Sequence, residues 1–375
     1  MQSPTCRFED RLAGRSLAMH GLRARIVARR REDVPAAFEA IARERAAGRW
    51  LALLLDYELG EWLLPETGPA TPAAAPRLVA LSFDQATHGP CWAEQDGDDA
   101  ARVCSVTPRM PRTDYLRRVA GIRDSIGAGE FYQVNYTQPL DVTIAGKPAA
   151  LYRTLAARHP VAHAAYIEDE SRTVLSFSPE LFVRRQGSRL VTRPMKGTAP
   201  RHADPAEDRR LADELHASAK NRAENLMIVD LLRNDLGRLA RPGSVRVDDL
   251  FALERYPSVW TMTSTVSADV PDASLARVLA ALFPCGSVTG APKIAAMRRI
   301  RQDEIAPRGL YCGSVGWIAP DGDFSLNVAI RTLVLDRDGN GGVYHVGSGI
   351  VHDSDPEQEW QECLWKARVL QAMAA

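Results

Sequence analysis

No run of about 18 consecutive apolar residues occurs in this sequence, so no membrane-spanning helix is expected. The first ten residues, Met1 to Asp10, lack the apolar stretch of an export signal, which points to a cytoplasmic protein. Cysteine is sparse and scattered. Cys6, Cys91, Cys104, Cys285, Cys312 and Cys363 form no C-x-x-C pair and have no histidine at zinc-finger distance. That excludes the usual structural zinc sites and fits free thiols in a reducing compartment. An excess of charge is lacking too: 47 basic residues balance 47 acidic ones. Nucleic-acid binding usually leaves a basic excess or stripe, so no such partner is expected. The five arginines between Arg23 and Arg31 read as a solvated face. No internal repeat of fixed period is found. What is present is the balance of a globular protein, 45% apolar and 25% charged.

At about 150 residues per domain, 375 residues allow more than one unit. Residues 1–108 hold a Pro/Ala/Gly-rich stretch, Pro65 to Pro76, and an acidic one, Glu94 to Ala100. These read as loops between short strands such as Trp50–Tyr57 and Leu78–Phe83. From 109 to 375 the periodicity is dense. Helices are expected at Thr113–Ala128 with Thr113 as N-cap, at Pro148–His159, over a long segment Ala206–Leu239, at 274–283 and 292–304, and at Pro356–Met373. Strands are expected at Tyr132–Val142, 163–168, 173–177, 181–186, 189–195, within Ser244–Ala268, and at 311–318, 324–336 and 342–346. Clustered strands separated by long helices predict a mixed α/β or α+β fold with large antiparallel sheets.

Several residues look chemical, and each has a plainer reading. Glu357, Glu359 and Glu362 lie in the first turns of the last helix, with Lys366 four residues after Glu362. Acidic residues favour helix N-termini and Glu362–Lys366 suits a surface pair, yet Glu359 and Glu362 share one face. Glu224 stands just ahead of the apolar run Leu226–Val229. A carboxylate at a buried position must be paired, protonated or metal-bound. Two helices aiming glutamates into one cavity could hold Mg2+, which takes one or two protein carboxylates. Lys196, ahead of Gly197, is either a snorkelling surface lysine or a buried nucleophile of lowered pKa. Glu180, after Pro179, is a raised-pKa general acid or a first-turn acid. The stretches Gly286–Lys293 and Gly347–Ile350 could offer backbone N–H groups to an anion, although turns need glycine anyway. Arg331 could fork onto a carboxylate or form a structural ion pair.

Taken together, these segments resemble the chorismate-utilising enzymes. The likeness covers roughly residues 110–373. It is carried by the blocks GEFYQVNYT, SFSPELF, RPMKGT, SAKNRAENLMIVDLLRNDLGR, CGSVTGAPK, GLYCGSVGW, NVAIRTL and GSGIVHDSDPEQEWQE, in the family's order. The first hundred or so residues resemble a shortened N-terminal region of the family's aminating members, most clearly at LLLDYELGEWL, packed on the core.

The resemblance implies an α/β sandwich of two large, mostly antiparallel sheets with helices outside and the site in a central cleft. It implies that Glu224 and Glu362 bind Mg2+, with Glu359 beside the ion. It further implies that Tyr311 and Arg331 grip the pyruvyl carboxylate of chorismate, that the N–H groups of Gly347 and Gly349 with Lys366 assist, that Thr198 joins the substrate contacts, and that Glu180 protonates the leaving 4-hydroxyl. Where several relatives carry a further glutamate, this chain has Asn221, and where several carry a histidine it has Trp260. Isochorismate and salicylate synthases carry a water-activating lysine where this chain has Gln133. Anthranilate synthases carry alanine where it has Lys196. Lysine at that position is the mark of the members that aminate C4, with Lys196 as the nucleophile at C2. No Gly-x-Cys-x-Gly elbow of a glutaminase is seen, so a separate glutaminase subunit is expected to supply ammonia.

Overall fold

The structure, a computed structural model, describes residues 5–93, 101–257 and 259–371. In chain order its elements are β1 (Cys6–Asp10), β2 (Arg15–Ala28), α1 (Asp33–Ala46), β3 (Trp50–Leu55), α2 (Leu59–Leu63), β4 (Leu78–Pro90), β5 (Arg102–Pro108), α3 (Arg112–Gly127), β6 (Gln133–Ala145), α4 (Pro148–Arg158), β7 (His163–Glu168), β8 (Arg172–Ser178), β9 (Leu181–Gln186), β10 (Arg189–Arg193) and β11 (Met195–Pro200). Then follow α5 (Pro205–Ala217), α6 (Ala219–Gly237), β12 (Arg246–Arg255), β13 (Val259–Asp269), α7 (Leu275–Leu282), β14 (Gly290–Ala291), α8 (Lys293–Asp303), β15 (Ser314–Ile318), β16 (Phe324–Asn327), β17 (Thr332–Asp336), β18 (Gly341–Ile350) and α9 (Pro356–Gln371). No helix among the described residues is long and apolar enough to cross a membrane.

Every strand pairing among the described residues is antiparallel. The ladder runs from β5 through β6, β18, β17, β8, β7, β1, β2, β4, β3, β15, β16, β9, β10 and β13 to β12. β8 and β9 are successive stretches of one strand, interrupted at Pro179–Glu180. β16 and β17 are likewise one strand interrupted at 328–331. Because β17 pairs with β8 while β16 pairs with β9, the path returns on itself. The strands β8, β7, β1, β2, β4, β3, β15 and the β16–β17 pair close a ring. Two wings leave it, β18–β6–β5 on one side and β10–β13–β12 on the other.

Side-chain alternation explains how the ring fills. Phe8, Leu17, Met19, Leu54, Leu81, Ile167 and Val315 come from six ring strands and pack into one cluster. On the opposite face, Leu51, Leu53, Leu55, Leu78 and Ala80 join the larger core beneath the helices. β3 is thus buried on both faces, which is why it reads as the unbroken apolar run WLALLL. The mixed α/β fold with large antiparallel sheets is the one observed.

Four expectations about single elements are corrected. The segment 206–239 is two helices, because Ser218 leaves helical geometry and its Oγ accepts the Asn221 N–H to cap α6. The strand 324–336 breaks ahead of Arg331, whose φ of 49° is left-handed. The strand 189–195 shifts register between Val191 and Arg193 and resumes as β11. Thr113 lies inside α3, and Pro111 occupies the N-cap position. The N-terminal elements β1, β2 and α1 were not expected from the sequence. Strands from residues 1–108 pair with later ones, β1 with β7, β3 with β15 and β5 with β6. The acidic stretch Glu94–Ala100 and the end of the last helix at Met373 fall outside the described residues.

Candidate active site

A cavity of about 460 Å³ opens where the ring meets both wings. Its lining includes the residues to which the resemblance gives a metal, substrate or catalytic contact: Glu180, Lys196, Thr198, Glu224, Tyr311, Arg331, Gly347, Gly349, Glu359, Glu362 and Lys366. Two strand interruptions contribute Glu180 and Arg331. β11 contributes Lys196 and Thr198, α6 Glu224, and α9 Glu359, Glu362 and Lys366. Tyr311 stands just before β15, and the two glycines lie on β18.

The interruptions are tied to each other. The Val328 N–H donates to the Glu180 carbonyl at 3.0 Å, and the Phe177 N–H to that of Arg331 at 3.0 Å. Glu180 is 3% exposed, and its Oε1 accepts the Ser287 hydroxyl at 2.6 Å. Burial pushes its carboxyl up to about 7, the Ser287 hydrogen bond and the Lys196 charge pulling the other way. A carboxyl titrating near neutrality inside a cavity can give and take a proton.

Lys196 keeps part of its surface open to the cavity. Even so, enough protein surrounds its amine that desolvation lowers its pKa below the ordinary lysine value, against the opposing charges of Glu224 and Glu180. No hydrogen-bond partner of this amine is found among the described residues. The next residue must be glycine: Gly197 has a φ of 85°, and a Cβ there would stand 3.0 Å from Asn221 Cγ. β11 can therefore approach α6 closely, which brings Lys196 and Glu224 to one cavity.

The acidic wall has its own logic. Burial raises the Glu224 pKa, and the charges of Glu359 and Glu362 add to the rise. Glu362 Oε1 pairs with Lys366 Nζ at 2.6 Å, and the same ammonium donates to the Gly347 carbonyl at 2.7 Å. No group of three His, Cys, Asp or Glu gathers at metal-holding distance among the described residues. A hydrated divalent ion held by one or two carboxylates needs no such group. Glu224 with Glu362 or Glu359, all oxygen donors that repel one another in a cavity, fit such an ion.

The glycine backbone has the polarity expected of it. The N–H groups of Asn135 and Thr137 are used on the far edge of β6 by the Thr289 carbonyl and the Glu304 carboxylate. Their register partners across the ladder are Gly349 and Gly347. These are the non-hydrogen-bonded pairs, so the glycine N–H groups point away from β6, past the last residue covered by β17. Tyr311, buried and 5.2 Å from the stacked His345 ring, lies close by. The Arg331 guanidinium has no ion pair or hydrogen bond among the described residues.

Some functional features differ from the expectation or were missed. The segment Gly286–Ala291 is buried, and its amides at Val288 and Thr289 close its own turn. Its contribution is the Ser287 side chain, not an exposed anion cradle. Behind the wall, Arg308 donates to the carbonyls of Val288 at 2.8 Å and Asn135 at 2.6 Å while pairing with Glu304. Neither Ser287 nor Arg308 carries a period or spacing that marks it in sequence. Trp260 turns toward α5, donating its indole N–H to Asp208 at 3.1 Å, so it does not line the cavity.

The family model described as chorismate binding enzyme matches residues 84–372. Anthranilate synthase component 1 of Streptomyces coelicolor is 39% identical over 304 residues, 80% of this chain and 56% of that protein. Aminodeoxychorismate synthase component 1 of Escherichia coli is 40% identical over 267 residues, 70% of this chain and 58% of that protein. The chain thus spans little more than half the length of these two relatives. The crystal structure of a 2,3-dihydroxybenzoate-specific isochorismate synthase from Bacillus anthracis superposes with a TM-score of 0.80 at 22% identity, over 99% of this chain and 95% of that one, a likeness of fold. The chain belongs to the chorismate binding enzyme family.

Proposed function

We propose that this chain is the aminating component of an aminodeoxychorismate synthase, converting chorismate and ammonia to 4-amino-4-deoxychorismate. Identity alone does not decide this, since the anthranilate synthase likeness is as close. The observation that carries the reading is Lys196, an amine with no hydrogen-bond partner among the described residues that shares one cavity with the buried acid Glu180.

The residues divide the chemistry as follows. The neutral amine of Lys196, favoured by desolvation, adds at C2 of the ring. Glu180 gives its proton to the departing 4-hydroxyl, which leaves as water. Ammonia then bonds to C4, and the bond from C2 to the protonated lysine nitrogen breaks, which returns the free amine. Glu180 recovers a proton from the new ammonium group. Holding the first nucleophile on the protein gives it a high effective concentration and divides one difficult displacement into two. Arg331 and Tyr311, with the N–H groups of Gly347 and Gly349, hold the substrate's carboxylates, and Thr198 lines the same wall. Glu224 and Glu362, with Glu359 beside them, would hold a magnesium ion whose chemistry is to offset the charge of the ring carboxylate. Ammonia comes from a separate glutaminase subunit.

The test is product analysis. The purified chain is incubated with chorismate, Mg2+ and ammonium, with and without an added aminodeoxychorismate lyase. We expect 4-aminobenzoate only when the lyase is present, and its loss in Lys196→Ala. Anthranilate formed without the lyase would overturn the reading.

A further inference from the structure

We propose that His345 contacts the substrate, its imidazole donating a hydrogen bond to the pyruvyl carboxylate that Tyr311 and Arg331 hold. The proposal rests on chorismate as the substrate, as read above.

His345 stands on β18 ahead of Gly347, and strand alternation puts it on the same face as Gly347 and Gly349. It lines the cavity and is 8% exposed. Its ring stacks on that of Tyr311, with centroids 5.2 Å apart and planes 16° from parallel. Neither ring nitrogen has a hydrogen-bond partner among the described residues. Buried polar groups are normally paired, so an imidazole bare at both nitrogens in a cavity wall calls for a ligand. A ring placed only to support Tyr311 would need no nitrogen. Phenylalanine would fill that role and leave no polar atom bare.

The state of the ring decides what it can bind. Burial, with the charges of Arg308 and Arg109, pushes the His345 pKa down to about 3. The imidazole is therefore neutral near neutral pH and carries a single N–H. Nδ1 is enclosed by protein without a partner. Bare buried donors are rarer than bare acceptors, so the proton belongs on Nε2, which is not enclosed. Its partner must then be an acceptor. In the proposed reaction the ring carboxylate of chorismate faces the glutamates of α6 and α9, so the acceptor beside Tyr311 is the pyruvyl carboxylate. Arg331 supplies the charge for that group, and a neutral N–H adds direction.

Two substitutions separate contact from support. His345→Phe keeps a ring against Tyr311 and removes both nitrogens. His345→Gln restores an N–H donor near the place of Nε2. Each is made in a chain carrying Lys196→Ala, which cannot form the covalent adduct, and binding is followed by calorimetry with Mg2+ and no ammonium. One ligand is chorismate. The other is trans-3,4-dihydroxycyclohexadiene carboxylate, which keeps the ring and its carboxylate but lacks the pyruvyl group. His345→Phe should weaken chorismate about tenfold or more, the effect of one lost hydrogen bond to a charged group, and leave the truncated ligand almost unchanged. His345→Gln should recover most of the loss. Equal weakening of both ligands overturns the proposal, because His345 would then act through the shape of the site. Unchanged chorismate binding in His345→Phe overturns it too. Anthranilate in the product analysis would instead refute the proposed function, while a loss confined to chorismate would still uphold the contact, since both reactions start from that substrate.

Discussion

Glu180 stores a cost that can be measured. Its folded pKa of about 7 lies above the ordinary 4.5, so the folded state is penalised as the carboxyl ionises. Its contribution is fully favourable below about pH 4.5 and is lost as pH rises through 7, a change on the order of 3 kcal/mol. Glu180→Gln removes this component while keeping an acceptor for the Ser287 hydroxyl. The variant should be inactive, and relative to wild type it should gain stability between pH 5 and pH 8 in urea unfolding. Parallel pH profiles for the two proteins would refute the buried acid. The residues of this site were legible in sequence mainly as an ordered set. Each of Glu180, Lys196, Glu224 and Arg331 has an ordinary explanation alone, and only the resemblance joined them. Ser287 was quoted for other reasons and His345 was not singled out, because a hydrogen bond or a ring stack between residues far apart in sequence leaves no local pattern.

Helices and strands with a clear period were found within a few residues of their bounds, and the exceptions share a cause. The sequence from 206 to 239 keeps helical composition across Ser218, yet the chain bends there because the serine side chain supplies the cap that α6 lacks. Ser218→Ala should cost about 1 kcal/mol of stability in chemical denaturation. It should also weaken activity, since the first turns of α6 carry Asn221 and Glu224 to the cavity. Stability equal to wild type would show that the cap is dispensable. The strand break before Arg331 was hidden for a different reason. A left-handed arginine is held there by the tertiary partner strand, through the hydrogen bond from Phe177, and no local propensity announces it.

For the whole molecule, composition suggested a division at residue 108, whereas the pairing of strands from its two sides left no pattern in the sequence. β1 and β3 supply strands to the ring, so their removal would bare the edges of β7 and β15. A fragment of residues 109–375 should therefore aggregate or lack cooperative unfolding, as followed by circular dichroism and light scattering. A soluble fragment with a sharp thermal transition would show that the ring is not needed for folding. The paired interruptions at Glu180 and Arg331 have another consequence. Reactive groups usually sit on loops that open readily. Here the acid and the arginine hang from two adjacent strands in mid-sheet, cross-tied by the amides of Val328 and Phe177. In deuterium exchange these two amides should be among the slowest in the protein, far slower than those of the loop at Pro65–Pro76. The proposed reacting centre would then be the part of the chain least able to breathe, and any motion that admits substrate would have to come from the walls around it.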